Sequence, residues 1–259
     1  MYNEIFWYLL ISVGFNLLLF IPAFIFKTDK LTDISYSLSF IFIMTFALFR
    51  VGDFGFSNLV ISFMVLIWAF RLGSYLFVRI NKMKSDKRFD GIRENFVKFG
   101  FFWLIQGISV WVVMVPALLF IFSSRSLQTI WFPLIGFTVW FFGIVVESIA
   151  DYQKTNFITN SKKEGKERHW VNIGLWKHSR HPNYLGEITL WFGVYIFAIT
   201  KLDLASAIFA TVGPIYIFII LRYFSGVPQL EKKSEERYGD RKDYLEYKKK
   251  TGLILFRFK

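Results

Sequence analysis

The sequence predicts an all-α, polytopic membrane bundle of about seven transmembrane helices, with the N-terminus outside and the C-terminus in the cytosol. Three observations predict it. Hydrophobic residues make up 54% of the 259 and aromatic residues 21%. The apolar residues stand in continuous blocks rather than alternating with polar ones, and Lys and Arg gather in the connections of one side. Crossing a hydrocarbon core of roughly 30 Å takes about 20 helical residues, and several blocks reach that length. Continuous blocks also exclude a barrel, whose strands alternate inward and outward residues.

The first block, Ile5 to Phe26, is longer than a signal h-region and has neither a basic n-region nor a small-residue cleavage site, so it reads as a retained helix. Spans follow in order at residues 4–26, 32–49, 57–79, 99–122, 129–150, 185–200 and 202–222, the sixth being short. Pro116 and Pro214 fall inside the fourth and seventh, where a lost amide donor and a ring clash bend a helix. With the N-terminus outside, the cytosolic segments are 27–31, 79–98, 151–184 and the tail from Arg222. Of all the Lys and Arg residues, only Arg50, Arg125 and Lys201 fall in outer loops and only Arg71 within a span. No Gly/Ser linker, low-complexity tract or internal repeat divides the chain, which predicts one membrane domain over 1–259.

The net charge of +12 belongs to that topology rather than to a nucleic-acid surface, so the bilayer is the expected partner and nucleic acid is not. With no cysteine there is no disulfide framework, thiolate metal site or cysteine nucleophile. His178 and His181 are three apart, but Pro182 breaks their loop and no third ligand accompanies them, so no metal is expected. No phosphate-loop or dinucleotide glycine fingerprint occurs, so a bound nucleotide would rest on side chains.

Charged residues within spans cost at least about 2.5 kcal/mol at a helix centre and therefore mark candidate sites. Asp33, followed a turn later by Tyr36, opens the second span as either an interfacial cap or a functional acid. Arg71 lies deep in the third span with Tyr75 at i+4 and Arg79 a further two turns from Arg71, a polar stripe that fits an ion pair or a substrate contact. Glu147, Asp151 and Lys154 share a face where the fifth helix leaves the membrane, and two acids at a helix C-terminus oppose the macrodipole unless a ligand or cation compensates. After Arg222 the tail charge, Glu231, Arg237 and Arg241 included, reads mostly as solvated or headgroup-facing surface, with Tyr238, Tyr244 and Tyr247 forming a wall for a planar ligand.

The richest stretch runs from Gly174 to Glu187 and contains Arg180-His181-Pro182-Asn183-Tyr184 ahead of Gly186. Pro182 biases His181 away from helical geometry and presets its own φ, and Gly186 lets another group approach the backbone. The stretch describes a ligand-binding loop feeding a helix whose N-terminus faces an anion.

Glu147-Ser148-Ile149-Ala150-Asp151-Tyr152-Gln153-Lys154, then Gly174-Leu175-Trp176, then Arg180 through Glu187, together resemble the steroid 5-alpha-reductase superfamily, in particular its bacterial branch. The likeness extends to Asp33, to Trp68-Ala69-Phe70-Arg71-Leu72-Gly73 and to Asp86-Lys87-Arg88-Phe89. It implies a seven-helix membrane reductase in which NADPH lies in a cytosol-facing cavity and reduces an activated C=C bond of a lipid-like substrate. Residues 1–122 would then face substrate and 123–259 would form the cofactor-binding part. Asp151, Asn183, Glu187 and Arg222 match the family's cofactor residues, with Lys154, Arg180, His181, Tyr184 and Tyr244 as neighbours. Tyr75 is similar to the family's carbonyl-polarising tyrosine, and Arg71 would contact substrate. The family's catalytic glutamate has no counterpart, and Asp33 is the substitute candidate.

Isoprenylcysteine and phospholipid methyltransferases share an Arg-His-Pro-x-Tyr-x-Gly loop, so an S-adenosylmethionine enzyme is the alternative, and a non-catalytic lipid-binding membrane protein is a third reading. A cysteine-free chain without a targeting segment fits the inner membrane of a bacterium.

Overall fold

A computed structural model of the chain describes residues 2–82, 89–165 and 169–258, with the side chains of 81 and 82 left aside. It is helical throughout: α1 (Tyr2–Ile25), α2 (Lys30–Val51), α3 (Phe56–Lys82), α4 (Phe96–Ile121), α5 (Trp131–Lys163), α6 (Pro182–Ala198), α7 (Leu204–Ala210), α8 (Val212–Ile219), α9 (Val227–Tyr238) and α10 (Lys242–Lys250). The one β-type pairing among the described residues is an isolated parallel bridge between Ser179 and Gly252. Asp86, Lys87 and Arg88 lie outside the described residues.

Among the described residues, six helical stretches are long and apolar enough to cross a bilayer: α1, α2, α3 to Ile80, α4, α5, and the run Leu204–Tyr238 that contains α7 to α9. The expected sixth span falls on α6, whose 17 residues are shorter than the others and are extended by a 3-10 turn at Ile199–Lys201. The chain is thus an integral, multi-pass helical membrane protein. α5 continues 13 residues past the expected end at 150, because the sequence from Asp151 onward has no Gly or Pro until Gly165, which ends it at φ +62°.

The described chain divides into two compact units, Met1–Leu134 with Val194–Gly213, and Ile135–Gly193 with Pro214–Lys259. In the first unit, α1, α2 and α4 are joined by a polar seam within otherwise apolar helices. Gln106 Nε2 donates to Asn16 Oδ1 (3.0 Å) and Ser35 Oγ (2.8 Å), Asn16 Nδ2 donates to Ser39 Oγ (3.1 Å), and Ser12 Oγ donates to Gly107 O (2.7 Å). Gly107 makes the approach possible, since a Cβ there would lie 2.8 Å from Val13 Cα. Lacking a hydrophobic drive between helices, a bilayer protein relies on such small residues and interhelical hydrogen bonds. The Pro116 ring fills a second notch, where a Cβ on Gly213 would lie 2.8 Å from its Cδ. Lys201, expected as an outer-loop charge, is buried instead. Its Nζ donates to Asn58 Oδ1 (3.0 Å), and Asn58 is held by Asp53 through Oδ2 (2.8 Å).

In the second unit, α5 and α6 meet backbone to backbone along a glycine seam. A Cβ on Gly143 would lie 2.5 Å from Leu190 N, one on Gly186 2.5 Å from Glu147 N, and one on Gly193 2.4 Å from Trp140 N. The group that Gly186 admits is therefore α5 itself. This seam sets the Glu147-to-Lys154 face beside the first turns of α6.

Candidate functional site

The site in the second unit grows from that seam. Glu147 and Asp151 are both buried on α5, while Asn183, Tyr184 and Glu187 sit half-buried on the opening turns of α6, with Pro182 at the first helical position, where its missing N–H costs nothing. Asn183 and Glu187, at i and i+4, share a face.

The 3-10 turn Gly174–Lys177 is fastened to α5 by the part of the acidic block that composition alone leaves unexplained. Gln153 Oε1 accepts from Leu175 N (2.9 Å), and Trp176 Nε1 donates to Ala150 O (3.0 Å). Gly174 is required here twice over: its φ is +52°, and a Cβ would lie 2.2 Å from Gln153 Nε2. Lys154 Nζ stands 5.2 Å above the Trp176 ring. From the other side Tyr247 donates its hydroxyl to Trp176 O (2.7 Å).

The C-terminal tail straps the Lys177–His181 loop. Arg180 N donates to Gly252 O (2.8 Å), Gly252 N to His178 O (3.2 Å) and Arg257 N to His178 O (2.9 Å). Ser179 Oγ donates to Ile254 O (2.6 Å) and accepts from His181 N (3.2 Å). The three histidines have separate surroundings: His169 stacks on Trp170 with ring centres 3.5 Å apart, His178 lies beside Phe258, and His181 turns to Glu231.

Glu231, on α9, is the residue that sequence reasoning placed on a solvated surface and the fold places at the centre. One carboxylate oxygen accepts from His181 Nε2 at 2.8 Å, and the other pairs with Arg180 Nη1. Burial pushes the His181 imidazole below its usual pKa against the pull of Glu231, and the positive charges of Lys154 and Arg180 push the same way. His181 is therefore neutral at pH 7, with Nε2 set against the carboxylate. Its ring stacks on Tyr184 at 5.7 Å, and Tyr184 in turn presses on the start of α9, where a Cβ on Gly226 would come within 2.8 Å of Tyr184 Cε2. Only the Arg180 cation, which needs a counter-charge, hinted at such a partner in the sequence.

Three buried polar atoms of this loop meet no hydrogen-bond partner among the described residues: Asn183 Oδ1, His181 Nδ1 and Arg180 Nε. Buried polar atoms are nearly always satisfied, so three on residues 180, 181 and 183 make this loop a candidate for contact with polar groups of a ligand. Arg222 sits half-buried in a π turn, Ile220–Phe224, closed by Ser225 N donating to Ile220 O (2.8 Å), with its guanidinium 4.9 Å above the Tyr223 ring. Tyr244 is placed differently from a ligand wall: it is buried in an aromatic cluster with Trp170 and Tyr238, Tyr247 packing against it, and burial raises its phenol pKa.

In the first unit, Asp33 lies in the first turn of α2, the cap position being Asp29, and is engaged by Arg79 Nη2 of α3 at 2.5 Å. Of the readings open to the polar stripe, Arg79 thus takes that of an ion pair, with Asp33. Arg71 and Tyr75 are half-buried on the same face of α3. Close approach of α2 and α3 is permitted by Gly73, where a Cβ would lie 3.1 Å from Ser37 Cβ.

Similarity to known proteins places this helical membrane protein in the reductase/methyltransferase superfamily. The chain belongs to the family described as Protein of unknown function (DUF1295), whose profile matches residues 19–251, and which is the steroid 5-alpha-reductase-like group. It is 27% identical over 132 residues to Protein-S-isoprenylcysteine O-methyltransferase of Saccharomyces cerevisiae, covering 50% of this chain and 51% of that protein. It is 25% identical over 222 residues to the uncharacterized protein C594.04c of Schizosaccharomyces pombe, covering 75% of this chain and 62% of that one. The chain thus spans less than two thirds of either relative. No solved structure matches.

Proposed function

We propose that the protein is an NADPH-dependent reductase of an activated C=C bond in a lipid-like substrate, a steroid or another enone. The observation that carries this reading is the buried Asn183 Oδ1 on the opening turn of α6, an acceptor with no protein donor among the described residues. A nicotinamide carboxamide N–H or a ribose hydroxyl is the donor it suits. His181 Nδ1 beside it fits the same group. Asp151 and Glu187 take ribose hydroxyls, Lys154 and Arg222 oppose phosphates, and Arg180, Tyr184 and Tyr244 hold the surroundings in place.

When bound, NADPH would supply a hydride to the far carbon of the enone, and a proton taken from water at the neighbouring carbon would complete the reduction. Tyr75 donates a hydrogen bond to the substrate carbonyl, which draws electron density from the far carbon of the enone and stabilises the enolate oxygen. Within the first unit, Asp33, engaged by Arg79, serves as the acid, and Arg71 contacts substrate. Residues 1–122 face the substrate and 123–259 the cofactor. The Lys and Arg distribution supports a cytosolic C-terminal half, and the cysteine-free composition supports a bacterial cell membrane.

The Saccharomyces relative favours a second reading, in which the same acceptors hold S-adenosylmethionine. Thermal unfolding of detergent-purified protein with NADPH, NADH or S-adenosylmethionine separates the two, because a ligand at 100 Kd adds about 2.7 kcal/mol to apparent stability. NADPH is expected to stabilise, Asn183→Ala to abolish that stabilisation, and Tyr75→Phe to keep it while slowing enone turnover. Stabilisation by S-adenosylmethionine alone overturns the reductase, and a response to no ligand favours a non-catalytic lipid-binding protein.

A further inference from the structure

Glu231 has a role beyond balancing charge. An imidazole between two environments can carry its proton on either nitrogen, and the hydrogen bond made by one nitrogen decides what the other offers. Here Nε2 faces a carboxylate, which only accepts, at 2.8 Å. That carboxylate is itself fixed, because its second oxygen is paired with Arg180. The loop is fixed in turn by Ser179, which accepts from His181 N and donates to Ile254 O of the tail. The groups with charge around the ring are Glu231 from α9, Arg180 on the loop and Lys154 from α5, and His181 itself is only 4% exposed.

We propose that Glu231 is a positioning residue that locks His181 in the Nε2–H tautomer, so that Nδ1 is a permanent, buried acceptor for an N–H or O–H group of the bound nucleotide. The lock rests on geometry alone, and the ligand contact rests on the cofactor reading above. Nδ1 has no donor among the described residues, and neither does Asn183 Oδ1 two residues further along the chain, so the loop and the first turn of α6 each hold a buried acceptor that no protein group uses. Two acceptors suit N–H or O–H groups of a ligand, such as a carboxamide NH2 or a ribose diol, while the unpartnered Arg180 Nε offers a donor to an oxygen of the same ligand. A histidine in the opposite tautomer, or charged, would present a donor there and select the opposite edge. Glu231 thereby sets the polarity of recognition without touching the ligand.

The chain's three histidines make the test readable by nitrogen NMR of 15N-histidine-labelled protein in micelles, with His181→Gln assigning the signal. At pH 7.5 the free protein is expected to show His181 as the Nε2–H tautomer, and Glu231→Gln to give a mixture of tautomers and roughly tenfold or greater weakening of NADPH binding. Added NADPH is expected to move the Nδ1 resonance and leave Nε2 in place. If Glu231→Gln does not fold, His181→Asn and His181→Gln replace it. Asn keeps an acceptor at the Nδ1 position and is expected to bind NADPH more tightly than Gln, and the reverse order overturns the assignment. A Nδ1–H tautomer or an imidazolium in the free wild-type protein overturns the lock. NADPH that raises the melting temperature without moving Nδ1 overturns the ligand contact and leaves the cofactor reading standing. NADPH that does neither overturns the cofactor reading and the contact together, with the lock decided by the free-protein spectrum.

Discussion

Gly186→Ala tests the whole arrangement with one methyl group. The new Cβ would lie 2.5 Å from Glu147 N and 2.7 Å from Gly143 O, both backbone atoms of α5 that no rotamer change can move. Ordinary contact begins near 3.4 Å. α5 and α6 must therefore part by roughly 1 Å at this point, a displacement that costs about a hundredfold where groups on two elements must converge on one ligand. Overpacking of this kind also destabilises by about 1–3 kcal/mol. Gly193→Ala is the matched control, because its Cβ would meet Trp140 N at 2.4 Å on the same seam, two turns further along α6. The expected outcome is a comparable loss of melting temperature in both variants, with NADPH affinity, followed by titration calorimetry or fluorescence, falling far more in Gly186→Ala. Equal losses of affinity, or a Gly186→Ala protein with wild-type affinity and stability, would refute the argument that the seam aligns Glu147 and Asp151 with Asn183 and Glu187.

Gln106→Leu removes both donors that join α4 to Asn16 and Ser35, leaving Asn16 Oδ1 in an apolar interior, and is expected to cost about 1–3 kcal/mol in detergent unfolding while NADPH affinity is unchanged. Stability is also expected to fall on acidification. His181 has its pKa lowered by folding, so the folded state binds fewer protons than the unfolded state between the folded value and the ordinary 6.5; its contribution is complete above about 6.5 and is lost as the pH falls through the folded value. Melting curves from pH 7.5 to 5 should show this decline, and His181→Gln should flatten it. Ser179→Ala, which frees Ile254 O and His181 N, should cost about 1–3 kcal/mol and expose the tail beyond Gly252 to limited proteolysis.

Several features of the protein were legible in its sequence because they depend on nearby residues alone. A run of apolar residues long enough to cross a bilayer is a local property, so the spans could be read, and the extension of α5 to Lys163 was readable in principle from the lack of Gly and Pro before Gly165. The Arg180-to-Glu187 stretch announced itself because cations, a proline-set turn and a glycine stand within a few positions. Asp33 and Arg79 were each legible as charges out of place, but their pairing across α2 and α3 was not.

What only the tertiary structure decided is which charges meet. Glu231 lies 50 residues from His181, in a tail whose composition reads as solvated surface, and α9 alone brings it to the loop. Gln106 reaches Asn16 across 90 residues, and Lys201 reaches Asn58 across 143. A hydrogen bond depends on position to within a few tenths of an ångström, and position at such separations is set by helix packing, here by glycines whose notches admit one particular neighbour. Composition and spacing determined that cations, a proline-set turn and a glycine would stand together in one loop at the head of a helix. Packing determined that Arg180 and the neutral His181 share one carboxylate, and that His181 Nδ1 and Asn183 Oδ1 are buried without a protein donor among the described residues.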